Sequence, residues 1–402
     1  MFDRRPPSPV FEYYCYQATV SFGFFSPIFT LFLLDRGLTY TAISSLSMLY
    51  AVLTVVGEIP TGYVCDRIGR RNSLLAGSAF MTVSIFGFAV VESYLGLAAL
   101  YVLWTLSLVF RSGSGDAWLY DTLEAELDEG RFAHVRGRGQ SVRQAVTVVA
   151  MLAGGVLYGI DPTYPFVASG VLNGAGVFVL FALPKNRQYA DGNEDDTHFT
   201  VLEALPVLRD RLTRPPLRSF VLYAALFFGV VEAANTYVQP ISTETLGVPV
   251  ASMGLLYAAF TGVSAVASYY AGAVKDRLGV RGAMVAVPVA LGVSLLAPVA
   301  WPLLAFPTFF ALKGSRSLLH PIVTQHVNDH VESVGRATVL SAVSMAYALV
   351  RLPLYLLGGV VADAATPVLA VGVLGAVFLA GVAVVRSVSS PVGGVDSGPT
   401  SG

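Results

Sequence analysis

The sequence predicts an all-α membrane protein of twelve transmembrane helices, arranged as two pseudo-symmetric six-helix bundles. Apolar residues make up 54% and charged residues 13% of the 402 positions, against about 25% charged in a soluble domain. Twelve apolar stretches long enough to cross a bilayer, about 17 to 25 residues each, fall six on each side of a hydrophilic segment. A charged decamer recurs at the same place in both halves, 210 positions apart, and such a repeat marks a duplicated membrane domain.

In the N-terminal bundle, residues 1–183, spans 1 to 6 are expected near 10–34, 41–64, 73–91, 96–120, 140–160 and 164–183. In the C-terminal bundle, residues 217–386, spans 7 to 12 follow near 217–241, 251–274, 282–298, 301–320, 337–362 and 367–385. Backbone groups in lipid must be satisfied within each segment, so spans of this length are helices rather than barrel strands. Buried helices of a soluble protein would be shorter, with more charge between them. The linker, residues 184–216, carries an acidic patch at Asp191, Glu194, Asp195 and Asp196. Val201, Leu202, Leu205, Leu208 and Leu212 then recur at helical spacing beside Arg209 and Arg211. That part reads either as a short helix on the membrane surface or, with Pro206 inside it, as a partly ordered tether. The tail, residues 387–402, is rich in Ser, Gly and Pro and is expected to be disordered.

Orientation follows from the 25 Lys and Arg residues: 19 fall in one set of loops and tails, only Arg36 in the other, and five within spans. The asymmetry puts both termini in the cytoplasm. No cleavable signal peptide is expected. The net charge of −1 implies no nucleic-acid or acidic macromolecular partner. Cys15 and Cys65 fall toward the cytoplasmic ends of helices and read as small apolar fillers, not a disulfide. No Cys/His spacing suggests a metal, no Walker-type Gly-rich sequence appears, and no nucleophile, base and orienter occur together. No cofactor and no enzyme activity are expected, and the chain is read as a monomer.

The first decamer is Gly62-Tyr-Val-Cys-Asp66-Arg67-Ile-Gly69-Arg70-Arg71, and the second is Gly272-Ala-Val-Lys-Asp276-Arg277-Leu-Gly279-Val-Arg281. Gly-x-x-x-Asp-Arg-x-Gly-Arg-Arg between the second and third helices resembles the signature loop of the major facilitator superfamily, with the second copy departing at Val280. The resemblance covers roughly residues 10 to 386. It implies a transporter whose central cavity is lined by helices 1, 4, 7 and 10, and a latch on the cytoplasmic side. In that latch Gly62 and Gly272 allow close helix approach. Asp66 meets the positive N-terminus of helix 11 around Gly335 and Arg336, and Asp276 lies near Gly139 and Gln140. The resemblance also implies that Asp121 pairs with an arginine of the first loop. Positive-inside placement alone explains Arg67, Arg70 and Arg71, but not Gly62, Asp66 and Gly69. On helix 5, Met151-Leu-Ala-Gly154-Gly155-Val-Leu-Tyr-Gly159 has the glycines of the drug-antiporter pattern without its proline. Glu58-Ile-Pro-Thr-Gly62 and Arg336-Ala-Thr-Val-Leu-Ser341 resemble prokaryotic exporters of drugs or metabolites.

An ionisable side chain within a span costs at least about 2.5 kcal/mol, so each needs a partner or a function. At about 1.5 Å per residue, Glu232, Lys313 and Arg351 come out near the midplane, with Arg111, Arg316 and Glu58 somewhat lower. Asp116 and Arg143 match in depth across the hairpin of helices 4 and 5 and are expected to form an ion pair. Helix 7 has a polar stripe of Glu232, Asn235 or Thr236, Gln239 and Thr243, and helix 1 a weaker one of Tyr13, Gln17 and Ser21. Aromatic walls with few charges suit amphipathic organic solutes, while Lys313, Arg316 and Arg111 suit an anionic group such as a carboxylate; the sequence leaves both open. Glu232 is expected to contact Arg351 in at least one state, with Lys313 as the fallback. It reads either as a permanent ion pair or as a proton-coupling acid. Three functional readings follow: proton-coupled export of a small organic solute, uptake by proton or ion symport or uniport, and a non-transporting membrane sensor.

Overall fold

The computed structural model describes residues 7–126, 129–184, 215–329 and 336–388, with side chains given for all of these but 58–63, 66, 126, 129, 215–218, 336–342 and 385–388. The surface helix expected in the linker, and most of the tail, lie outside the described residues.

The described residues are helical nearly throughout. Span 1 comprises α1 (Ser8–Thr19) and α2 (Phe29–Asp35), followed by α3 (Tyr40–Ile68) and α4 (Arg70–Val90). Span 4 is built from α5 (Tyr94–Arg111) and α6 (Ser114–Glu126), and α7 (Phe132–Ile160) and α8 (Tyr164–Ala182) complete the first six. The second six are α9 (Pro215–Asn235) with α10 (Val238–Pro240), α11 (Met253–Tyr269), α12 (Ala271–Ala300), α13 (Ala305–Asp329), α14 (Arg336–Ala364) and α15 (Pro367–Val388). Among the described residues nine helices are long and apolar enough to cross a membrane, or ten if the bent pair of span 7 counts as one.

The shortfall from twelve has three physical causes. Span 1 is not the continuous helix expected, because Val20–Ile28 leaves the helical path. Gly23 sits there against the backbone of α7, and Pro27 has no N–H to continue the ladder. Span 7 is bent by 45° between Asn235 and Val238, and the chain beyond Pro240 winds as a π-turn, Ile241–Thr245. Span 10 is one helix, α13, made too polar to count by the Lys313, Arg316 and His320 that it carries.

The contacts divide the chain into two units. The first holds 1–32, 49–198 and 249–258, and the second 33–48, 199–248 and 259–402. Inside the first, α1 packs on α7 and α8, and α4 packs on α5 and α8. Inside the second, α9 packs on α14 and α15, and α12 packs on α13 and α15. These are the same four pairings in repeat order, so the duplication seen in the decamers extends to the packing. The turn glycines repeat as well: Gly69, before α4, has φ 84°, and Gly279, within α12, has φ 66°. Both lie in the left-handed region that a side chain disfavours.

Candidate functional site

In the second unit, the bend in span 7 lies beside the charged residues of α13. A carboxylate oxygen of Glu232 accepts from Arg316 Nη2 at 3.3 Å, with the two side chains 31% and 52% exposed. One turn along each helix, Lys313 Nζ donates to Asn235 Oδ1 and stands 5.7 Å from the Phe260 ring centre. A half-exposed guanidinium within a span is costly where it meets lipid. His320, a turn beyond Arg316, lies 6.1 Å from Phe228, which itself lies 5.6 Å from Tyr347. The π-turn after Pro240 is of a type frequent at functional sites.

In this conformation Glu232 pairs with Arg316, and the contact with Arg351 expected in at least one state is not made here. Arg351 packs one turn earlier along α9, where a Cβ on Gly229 would stand 3.4 Å from the Arg351 Cα. Its Nε is buried without a hydrogen-bond partner among the described residues. Gln239 is 5% exposed, and its carbonyl accepts from Thr243 Oγ1 at 3.1 Å. Thr236 falls in the turn between α9 and α10.

In the first unit, Arg111 ends α5, against Gly77 of α4, with its guanidinium 5.8 Å from the Tyr16 ring centre. Gln17 lies beside Gly139 of α7, as does Tyr13. Asp116 does not pair with Arg143. It takes a two-pronged bond from Arg136 at 2.7 and 2.8 Å, while Arg143 Nη2 donates to Gln140 at 2.7 Å. The helix begins at Phe132, not at 140 as expected, so its extra turns carry Arg136 to the level of Asp116. A fork on a carboxylate is the stronger geometry.

The first signature loop holds specific contacts. Arg71 donates to the carbonyls of Leu180 (2.9 Å) and Phe181 (2.6 Å), satisfying orphan acceptors at the negative end of α8. Arg70 pairs with Asp121 at 3.2 Å, as the resemblance implied. The side chains of Glu58, Gly62 and Asp66, and those of Gly335 and Arg336, lie outside the described residues. In the second loop Lys275 donates to Gln325 at 2.9 Å, and Asp276 and Arg277 are exposed. A Cβ on Gly272 would meet nothing within 4 Å among the described residues.

Sequence reasoning missed Asp363. Its two oxygens accept from the backbone N–H groups of Tyr40 (2.7 Å) and Thr41 (2.8 Å), capping the first turn of α3 from another helix. Gly359, one turn earlier on α14, permits the approach: a Cβ there would stand 2.9 Å from the Thr41 Cα. These contacts lie within the second unit, to which Tyr40–Met48 belongs. Asp363→Ala is expected to speed amide hydrogen exchange at Tyr40 and Thr41 and to lower stability by about 1 kcal/mol, as for a lost cap. Unchanged exchange at both amides would show that the carboxylate does not hold that turn.

Residues 17–353 match the sequence model of the Major Facilitator Superfamily. The chain belongs to this superfamily. It is 22% identical over 332 residues to the uncharacterized MFS-type transporter YxaM of Bacillus subtilis (strain 168), covering 80% of this chain and 81% of that protein. It is 26% identical over 242 residues to the tetracycline resistance protein, class G, of Vibrio anguillarum, covering 59% of each. The nucleoside transporter NupG matches the fold with a TM-score of 0.74 over 94% of this chain and 96% of that one, at 11% identity. The D-xylose-proton symporter matches with 0.62 over 93% and 94%, at 13% identity. At these identities the likeness is one of fold. Superfamily membership makes this a multi-pass membrane transporter and not an enzyme.

Proposed function

We propose that this chain is a secondary active transporter that exports a small organic solute across the cytoplasmic membrane by alternating access, driven by protons. It works as a monomer with both termini in the cytoplasm. The observation that carries the reading is the part-exposed Glu232–Arg316 pair within the spans, beside Lys313 and Asn235. A carboxylate there can exchange a cation for a proton, which coupling requires. Export is supported by the similarity to a tetracycline resistance protein. One observation favours a second reading, uptake by proton symport. Because Arg316 holds Glu232, a proton that neutralises the carboxylate frees the guanidinium for an anionic solute, so proton and solute would bind together. Solute-induced proton flux in proteoliposomes under an imposed pH gradient separates the two by its sign. A complete absence of flux across a broad solute panel would favour the sensor.

Asp66, in the first signature loop, belongs to this reading as the latch of the outward-facing state. Asp66→Asn is expected to widen the distance between labels on the cytoplasmic ends of the two bundles, because an amide interacts less with a helix N-terminus. Asp276→Asn is expected to act in the same direction but more weakly. If separation and transport are both unchanged in Asp66→Asn, the loop arginines serve orientation alone.

A further inference from the structure

We propose that Arg111 and Arg143 form a binding site for a singly charged oxyanion, a carboxylate or a phosphate, inside the first unit. Arg143 sits on the face of α7 that packs against α1. One turn before it, a Cβ on Gly139 would stand 2.5 Å from Tyr13 and 3.2 Å from Gln17. One turn after it, the hydroxyls of Thr147 and Ser21 share a hydrogen bond of 3.1 Å, and residues four apart lie on one side of a helix. Arg111 reaches the same part of α1 from the end of α5, with its guanidinium 5.8 Å from the Tyr16 ring centre. The two cations therefore converge on one turn of α1. Arg111 is the foremost electrostatic neighbour of Arg143, ahead of Tyr13, Tyr16 and Arg136.

Their surroundings do not neutralise them. Asp116, the carboxylate expected to pair with Arg143, has both oxygens on Arg136. Among the described residues Arg111 donates to no acceptor, and Arg143 donates to a neutral amide, Gln140, at 2.7 Å. The dipole of α5 favours a cation at its C-terminal end by about half a charge, which leaves more than one positive charge at this place. Both side chains lie within candidate spans, where unneutralised charge is costly. A bound anion removes that cost, while an amine adds to it. Geometry fits the same ligand: each guanidinium carries five N–H donors in a planar fork matched to carboxylate and phosphate, and both arginines are partly exposed.

Benzoate, benzamide and benzylamine share a ring and differ in charge, which makes them the probes. Unfolding temperature of the full-length protein is followed against each compound in neutral detergent at constant ionic strength. Benzoate is expected to stabilise the protein saturably, and the amide and amine are not. Arg111→Gln and Arg143→Gln are each expected to weaken benzoate binding about tenfold or more, the effect of one lost charge-assisted hydrogen bond; either one suffices should the other not fold. Arg138→Gln removes the same charge from an exposed position of α7 and is expected to leave binding unchanged. The source of the oxyanion is read with lipid: stabilisation of wild type by phosphatidylglycerol but not phosphatidylcholine, lost in the two variants, identifies a lipid phosphate, and its absence a soluble anion. Binding of the amide or the amine as tight as that of benzoate would overturn the assignment. So would undiminished benzoate binding in both variants, an equal loss in Arg138→Gln, or no response to benzoate and phosphatidylglycerol alike. None of these readouts requires transport, so their failure leaves the transporter reading as it stands.

Discussion

Glu232→Gln is expected to abolish transport driven by a pH gradient while leaving solute binding and counterflow in place. Gln preserves the shape of the side chain and can still accept from Arg316, but it cannot exchange a proton for an ion pair. Were the pair only a brace for the second unit, the same substitution would lower expression and thermal stability together. The geometry argues against that outcome. With side chains 31% and 52% exposed, the pair belongs among those that contribute about 1 kcal/mol or less to stability, not among fully buried pairs, whose disruption costs about 3 to 5 kcal/mol. Transport assays at two pH values, run beside thermal unfolding of the same preparation, separate the alternatives. Wild-type pH dependence in the Gln variant would sink the coupling role.

Gly154→Val is expected to lower stability by about 3 kcal/mol, the upper end for an overpacked site, with a matching loss of folded protein. A Cβ at Gly154 would run into the backbone carbonyl of Phe24, and one at Gly23 would stand 2.7 Å from the Ala150 Cβ. The irregular stretch of span 1 therefore lies directly on α7, and backbone cannot give way as a flexible side chain can. Gly159→Val, one turn beyond in the same glycine run, meets nothing within 4 Å and serves as the control, expected to be near neutral. Equal stability of the two variants in membranes would show that the close contact at Gly154 is not maintained. The glycines that resemble an antiporter pattern thus have a packing role of their own: Gly155 and Gly254 likewise place span 5 against the start of span 8, within the first unit.

What the sequence showed plainly was local or repeated. Gly69 and Gly279 recur at one place in the two decamers, and both take a positive φ, which glycine adopts without a Cβ penalty. The Arg70–Asp121 pair was legible because the family loop brings the two ends together. The breaks in spans 1 and 7 were not, since average hydropathy over a window does not register Pro27, Pro240 or a glycine seated on a neighbour's backbone. Asp363 was missed because it sits just past the expected end of span 11, where an acidic residue looks like ordinary loop.

By itself the sequence determined the class, the duplicated helical halves, the loop that repeats between them and the set of charges that must be satisfied inside the membrane. Only the tertiary structure decided which charges meet. Depth along a helix follows from counting residues, so Arg351 and Lys313, at the depth of Glu232, were the expected partners and Arg316, somewhat lower, was not. Direction around the helix axis depends on bends and on how closely neighbours pack. The 45° break after Asn235 and the seat of Arg351 on Gly229 are set by such contacts, and they leave Glu232 to Arg316. Asp116 passed to Arg136 for the same reason: α7 starts earlier than its apolar stretch, because its first turns are held by contacts with the rest of the unit and not by hydropathy.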